Sequence, residues 1–244
     1  MKIDCFRHVA CLAVVTGVAV LSPASLPAAG PNLYLPHNRV SNVAGQADVT
    51  DPNLVDPWSI ALSATGPLWI ANHLSGTATI YNGAGAITPI VVTISPAPNS
   101  AVGTLGRPTG QVQNSTTAFV LANGRAASFI FSTEDGLITA WNTGTADQVM
   151  VNNSAGSAVY KGLALNPSAT APLLYAANFR SDQPVGYAPF NICPLGGKLY
   201  VTYALQDSAK VLDVAGAGNG IVNVFDFNGN LLNRLITNGA LNSP

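Results

Sequence analysis

Charge is scarce in this chain: charged residues make up 9% of it, with ten basic and eleven acidic side chains among 244 residues. No cluster of Lys or Arg occurs anywhere. There is therefore no electrostatic footprint for a phosphate backbone or an anionic membrane surface, and nucleic acid is not an expected partner. Long stretches of the helix formers Ala, Leu, Glu and Lys are missing, and Glu134 is the only glutamate. Histidine is equally sparse, with only His37 and His73 beyond the N-terminal leader. A three-histidine zinc site is thereby excluded, and a Ser-His-Asp arrangement would have to use one of those two. Neither is accompanied by a Gly-x-Ser-x-Gly elbow or a His-Glu-x-x-His pair.

Present in quantity are 23 Gly and 17 Pro, a composition that suits short strands joined by tight turns and places the chain in the all-β class. The N-terminus has Lys2 and Arg7, an apolar run over residues 9–21, then small residues and prolines as far as Ala29. That layout is a secretory signal peptide over residues 1–29, because roughly 13 apolar residues fall short of the ~20 needed to span a bilayer. The expected mature protein, residues 30–244, is periplasmic or extracellular and carries no integral membrane segment. Cys5 and Cys11 leave with the leader, so no intrachain disulfide is expected. Cys193 reads as a small buried hydrophobe within an apolar stretch, the alternative being a nucleophile or an intermolecular bridge.

Three segments share a shape. Residues 57–62 lead to 67–72, residues 160–165 to 173–178, and residues 188–192 to 197–203, each a short strand, a turn and an aromatic-containing strand. A second pair of strands follows in places, with alternating patterns over residues 77–82, 136–142 and 221–226. A further unit between Gly110 and Gly136 has expected strands over 119–121 and 128–131. The starts near Trp58, Gly110 and Gly162 are 52 residues apart each time, close to the period of a four-stranded propeller blade. The next interval, from Gly162 to Asn191, is only 29 residues, and the outer strands expected after Asn178 have no counterpart. The reading is one β-propeller domain with about four blades visible, a shortened blade around residues 179–190, and a ring that is incomplete at its C-terminal end or open. Open edges predict pairing with other chains or poor solubility.

The strings Asp51-Pro52-Asn53-Leu54-Val55-Asp56-Pro57-Trp58, Ser132-Thr133-Glu134-Asp135-Gly136, Tyr160-Lys161-Gly162-Leu163-Ala164-Leu165 and Gly186-Tyr187-Ala188-Pro189-Phe190-Asn191 resemble a family of exported bacterial proteins with NHL-like repeats, some carrying PEP-CTERM sorting tails. The resemblance runs from about Asn32 to Pro244. It implies a propeller and no particular activity, and this chain departs from the pattern in the missing strands after Phe179 and in the absence of further C-terminal blades and of a sorting tail.

Chemistry has few places to reside. Asp135-Gly136 reads as a hairpin turn, with Glu134 solvated or paired with a basic neighbour. The alternative makes Glu134 a metal ligand together with Asn72 and Asn178, which occupy equivalent ends of inner strands, in a weak calcium site on a central channel. His73 reads as an exposed loop histidine, or more sharply as a general base. Residues 206–220 form a long Gly-rich loop without the Lys-Ser/Thr of a phosphate-binding loop; Asp207, Lys210, Asp213 and Asn219 are its candidate binding residues. The expected function is a non-catalytic binding or scaffold protein without a cofactor, its partner a protein or an extracellular polymer. The alternatives are a metal-dependent hydrolase of the lactonase type and a degenerate copy without function.

Overall fold

In a computed structural model the described residues are 35–63, 66–168, 170–181, 186–237 and 239–243. The expected leader, with Cys5 and Cys11, lies outside them. The unit His37–Pro244 opens with a two-residue parallel pair, β1 (Val40–Ser41) and β2 (Val49–Thr50). Four antiparallel sheets follow, each with its strands neighbouring in chain order. The first holds β3 (Pro57–Leu62), β4 (Leu68–Asn72), β5 (Thr77–Tyr81) and the short β6 (Val92–Thr93). The second holds β7 (Pro108–Gln113), β8 (Phe129–Thr133), β9 (Leu137–Trp141) and β10 (Gln148–Asn152). The third is a pair, β11 (Tyr160–Asn166) and β12 (Leu173–Asn178). The fourth holds β13 (Tyr187–Leu195), β14 (Lys198–Leu205), β15 (Gly220–Phe225) and β16 (Leu231–Ile236). Among the described residues no helix is long and apolar enough to cross a membrane.

Glycine chemistry makes the tightest hairpin. Leu195 pairs with Lys198 across Gly196 and Gly197, whose φ values of 57° and 76° are those of a primed turn. Strand expectation fails over residues 119–121. Only Val120 forms an isolated bridge there, to Ala126, and Phe119 has φ of 59°. The apolar triplet is a turn whose Phe119 packs under the second sheet, so hydrophobicity there marks burial and not extension. The strand that pairs with β8 is instead β7, which has no alternating pattern to betray it.

Successive sheets pack face to face through aromatic and branched side chains. Trp69 of the first sheet stacks on Phe129 of the second with ring centroids 4.0 Å apart, and Trp141 lies 4.8 Å away. Ile130, Ile138 and Ala140 meet Leu163, Leu174 and Ala176 of the third. Tyr175 then faces Tyr187, Val201, Tyr203 and Phe225 of the fourth. This burial supplies the main driving force for assembly.

The leading strands of the four sheets lie side by side, β3 against β7, β7 against β11 and β11 against β13. Two glycines allow that approach. A Cβ on Gly110 would stand 2.5 Å from the Leu163 amide nitrogen, and one on Gly162 would stand 2.9 Å from the Asn191 Cα. Exposure grades along the row: every residue of β11 is buried, whereas at the two ends Ile60 and Leu62 of β3 are 61% and 62% exposed and Leu195 of β13 is 57% exposed.

Candidate functional site

Each leading strand slips register near its start. The breaks fall between Pro57 and Ser59, Pro108 and Gln111, Tyr160 and Gly162, and Pro189 and Asn191. A bulge leaves residues unpaired and re-aims them, and the ones freed here are Trp58, Thr109 with Gly110, Lys161 and Phe190. On the second strands, Asn72, Thr133, Asn178 and Tyr203 occupy the matching pairing positions. The residues just after the first three are His73, Glu134 and Phe179. The repeat therefore delivers one group from each sheet to a common level.

There they form a chain of ion pairs. His73 places Nδ1 3.0 Å from Asp56 Oδ2 and Nε2 2.9 Å from Glu134 Oε2. The Lys161 ammonium donates to Glu134 Oε1, and the exposed Arg107 guanidinium lies 3.8 Å from Oε2. The side chains of Lys161, His73 and Glu134 are 1%, 8% and 9% exposed. Aromatic rings wrap the ammonium, with the Trp58, Phe179 and Phe190 centroids at 5.0, 5.6 and 5.9 Å. Trp58 also lies 6.1 Å from Phe190, which spans from the first sheet to the fourth.

Burial alone would raise the Glu134 carboxyl, but hydrogen bonds from His73 and Lys161 outweigh it and hold the group down at about 2. Burial would likewise lower His73, and the bonds to Glu134 and then Asp56 outweigh it, raising the group above its ordinary 6.5. An imidazole facing carboxylates at both nitrogens favours the doubly donating cation.

A pH dependence follows from these directions. Glu134, depressed in the fold, contributes stability above 4.5 and loses it as pH falls towards about 2. His73, raised in the fold, contributes fully below 6.5 and loses its contribution as pH climbs through its folded value. The urea midpoint should therefore be highest between 4.5 and 6.5 and decline on both sides. In His73→Gln the alkaline decline should vanish; an unchanged alkaline limb would assign it to another group.

A cavity of about 420 Å³ adjoins the cluster and is lined by all four leading strands, with Trp58, Gln111, Lys161, Phe190, Asn191 and Cys193 on its wall. Its size suits a small ligand or the tip of a larger one. Gln111 donates to the Trp69 carbonyl. The ring nitrogens of His73 both face carboxylates, Asp56 at Nδ1 and Glu134 at Nε2.

The relatives are viral. Three uncharacterised proteins of Acanthamoeba polyphaga mimivirus are similar to this chain. One is 30% identical over 240 residues, covering 84% of this chain and 58% of its own length. A second is 25% identical and covers 84% and 62%, and a third is 24% identical and covers 86% and 44%. The chain thus spans less than two thirds of the length of these relatives. No family model matches it. These findings overturn the resemblance to exported bacterial NHL-like proteins. The strings that suggested it surround the bulges and the ion-pair chain of this fold.

Sequence candidates fall in three places. Asn72 and Asn178 are indeed equivalent, but Asn72 Nδ2 donates to the hydroxyls of Thr77 and Thr79, and Asn178 Oδ1 accepts from the Val159 and Arg180 amides. Both close turns of their own sheets. Both Glu134 oxygens face cationic neighbours, Lys161 at Oε1 and His73 at Oε2. Among the described residues no group of three or more His, Cys, Asp and Glu side chains is placed to hold a metal ion. Asp135 does sit in the β8–β9 turn, with Gly136 at φ of 81° and the Ala97 amide donating to its carboxylate.

Two further expectations are reversed. His73 is buried and ion-paired, not an exposed loop residue: its amide donates to the Asp56 carbonyl and its ring lies between the Asp56 and Glu134 carboxylates. Cys193 is an exposed free thiol, on β13 at one end of the row of leading strands among the described residues. The loop candidates mostly shape the loop itself. Asp207 accepts the Val211 and Leu212 amides, Lys210 has φ of 57°, Asp213 accepts the Ser243 hydroxyl, and Asn219 donates to the Val214 carbonyl. His37 pairs with Asp48 at 2.7 Å on the surface. What the sequence reading missed was Trp58, Lys161 and Phe190 acting together. The signal available was their shared position at the start of each repeat.

Proposed function

We propose that the chain is an exported, non-catalytic binding module built as an open β-propeller, with a protein or an extracellular polymer entering the channel between β3, β7, β11 and β13. The observation that carries this reading is the cavity lined by all four leading strands, whose charged floor is neutralised internally. A site that uses its only glutamate to hold a buried lysine has committed that carboxylate to structure. The meander order of each sheet, the regular succession of leading strands and the exposed ends at β3 and β13 support a propeller with a gap in its ring. The apolar leader supports export.

Asn191→Arg tests the channel, because this residue is exposed on the cavity wall and stands outside the ion-pair chain. Purified protein is incubated with insoluble polysaccharides and fibrous proteins, and with a lactone in the presence of calcium. Retention of wild type on at least one matrix, reduced about tenfold by the arginine, is expected, with no lactone turnover. Retention indifferent to Asn191→Arg, or calcium-dependent turnover by wild type, would contradict the proposal.

A further inference from the structure

The third sheet stops where the others continue. Among the described residues β12 has β11 on one side and no strand on the other, while the first, second and fourth sheets each carry a third and a fourth strand. Beside that open edge lies a groove of about 350 Å³ whose walls are apolar, formed by Ile130, Ile138, Met150 and Val151 of the second sheet with Leu173 and Leu174 of β12. Met150, Val151 and Leu173 are 42%, 44% and 44% exposed.

Edges of this kind are normally blunted by charge, shortness or bulges. The other outer edges are. β6 is two residues long, β10 breaks register between Val149 and Val151, and β16 carries Arg234 and two register breaks. β12 has no charged residue and no proline, and it pairs without interruption with residues 162–166 of β11.

The complete sheets show what fits there. In each, the third strand runs antiparallel to the second and is an uncharged segment with an aromatic residue at its far end: Tyr81 opposite Leu68, Trp141 opposite Phe129, and Phe225 opposite Leu199. The matching position on β12 is Leu174, by the pairing of Asn178 with Tyr160 and of Asn72 with Pro57. We infer that the outer edge of β12 and its groove take an extended, uncharged segment of a partner protein, added as an antiparallel third strand with an aromatic side chain opposite Leu174. Main-chain hydrogen bonds along the edge would hold the segment, and alternate side chains in the groove would select it. This site is separate from the channel and does not depend on its occupant.

The probe is a fluorescein-labelled peptide of residues 136–142, the chain's own third strand of the second sheet, titrated against the whole protein by anisotropy. Saturable binding is expected, weakened about tenfold or more by Leu173→Lys and by Met150→Lys. Both are exposed positions on opposite walls of the groove, and unchanged urea midpoints establish that the variants fold. A control peptide with lysine in place of Leu137 and of Thr139, which share the face of Trp141, should not bind. Absence of binding by the parent peptide, equal binding by both peptides, or affinity unchanged in both variants would overturn the inference. So would a dimer that Leu173→Lys dissociates, since the edge would then belong to a second copy.

Discussion

Glu134→Gln is expected to cost about 3–5 kcal/mol of folding stability, because it leaves the Lys161 ammonium buried without a counter-charge. Its side chain is 1% exposed, and the surrounding rings attract a cation too weakly to replace a carboxylate. Set against a typical total of about 5–15 kcal/mol, the loss should be visible as a large fall in the urea midpoint. Lys161→Met should cost less, about 2 kcal/mol, since Glu134 keeps its bond from His73 at 2.9 Å and methionine retains the packing against Trp58 and Phe190. The order of the two variants is part of the expectation. A larger loss for Lys161→Met would mean that the aromatic rings, and not the carboxylate, stabilise the ammonium.

Gly110→Ala should be nearly as damaging. The added carbon would lie 2.5 Å from the Leu163 amide nitrogen, 2.6 Å from Ser132 Oγ and 2.7 Å from Leu163 Cβ. The first and last of these belong to the neighbouring leading strand, which cannot retreat without moving β11. Overpacking against a fixed wall costs typically about 1–3 kcal/mol, and a clash with backbone belongs at the upper end. Gly83→Ala supplies the control, because a Cβ there meets nothing within 4 Å; it should stay within about 0.5 kcal/mol of wild type. Equal midpoints for the two variants, measured in urea, would show that β7 and β11 do not approach as closely as described.

Much of the strand order is legible in the sequence where alternation and aromatics coincide, as in residues 68–72, 137–141 and 220–225. It is illegible where burial comes from both sides. Pro108–Gln113 is polar and irregular, yet its first four residues are buried, because neighbouring leading strands cover it. Conversely, Leu231–Ile236 is rich in leucine and almost wholly exposed, so its hydrophobicity does not mark a face. Phe119 shows the opposite error, an apolar residue in a turn taken for a strand. The ion-pair chain was hardest to read, since His73, Glu134 and Lys161 are far apart in sequence and no local motif joins them. Their equivalence appears only when the repeats are aligned on the bulges. The starts near Trp58, Gly110 and Gly162 come close to that alignment; the pairing sets Ile60, Gln111 and Leu163 in register, and hence Ser59 rather than Trp58 at the level of Gly110 and Gly162.

The central claim is that Glu134 and Lys161 act as one structural unit binding the second sheet to the third, and the most direct test is a double-mutant cycle on that pair. Urea midpoints and slopes are measured for wild type, Glu134→Gln, Lys161→Met and the double variant at a pH between 4.5 and 6.5, where Glu134 and His73 both contribute fully. The account predicts that the double variant is more stable than Glu134→Gln alone, with a coupling energy of about 2–3 kcal/mol. Losses that simply add, leaving a coupling below about 0.5 kcal/mol, would contradict it.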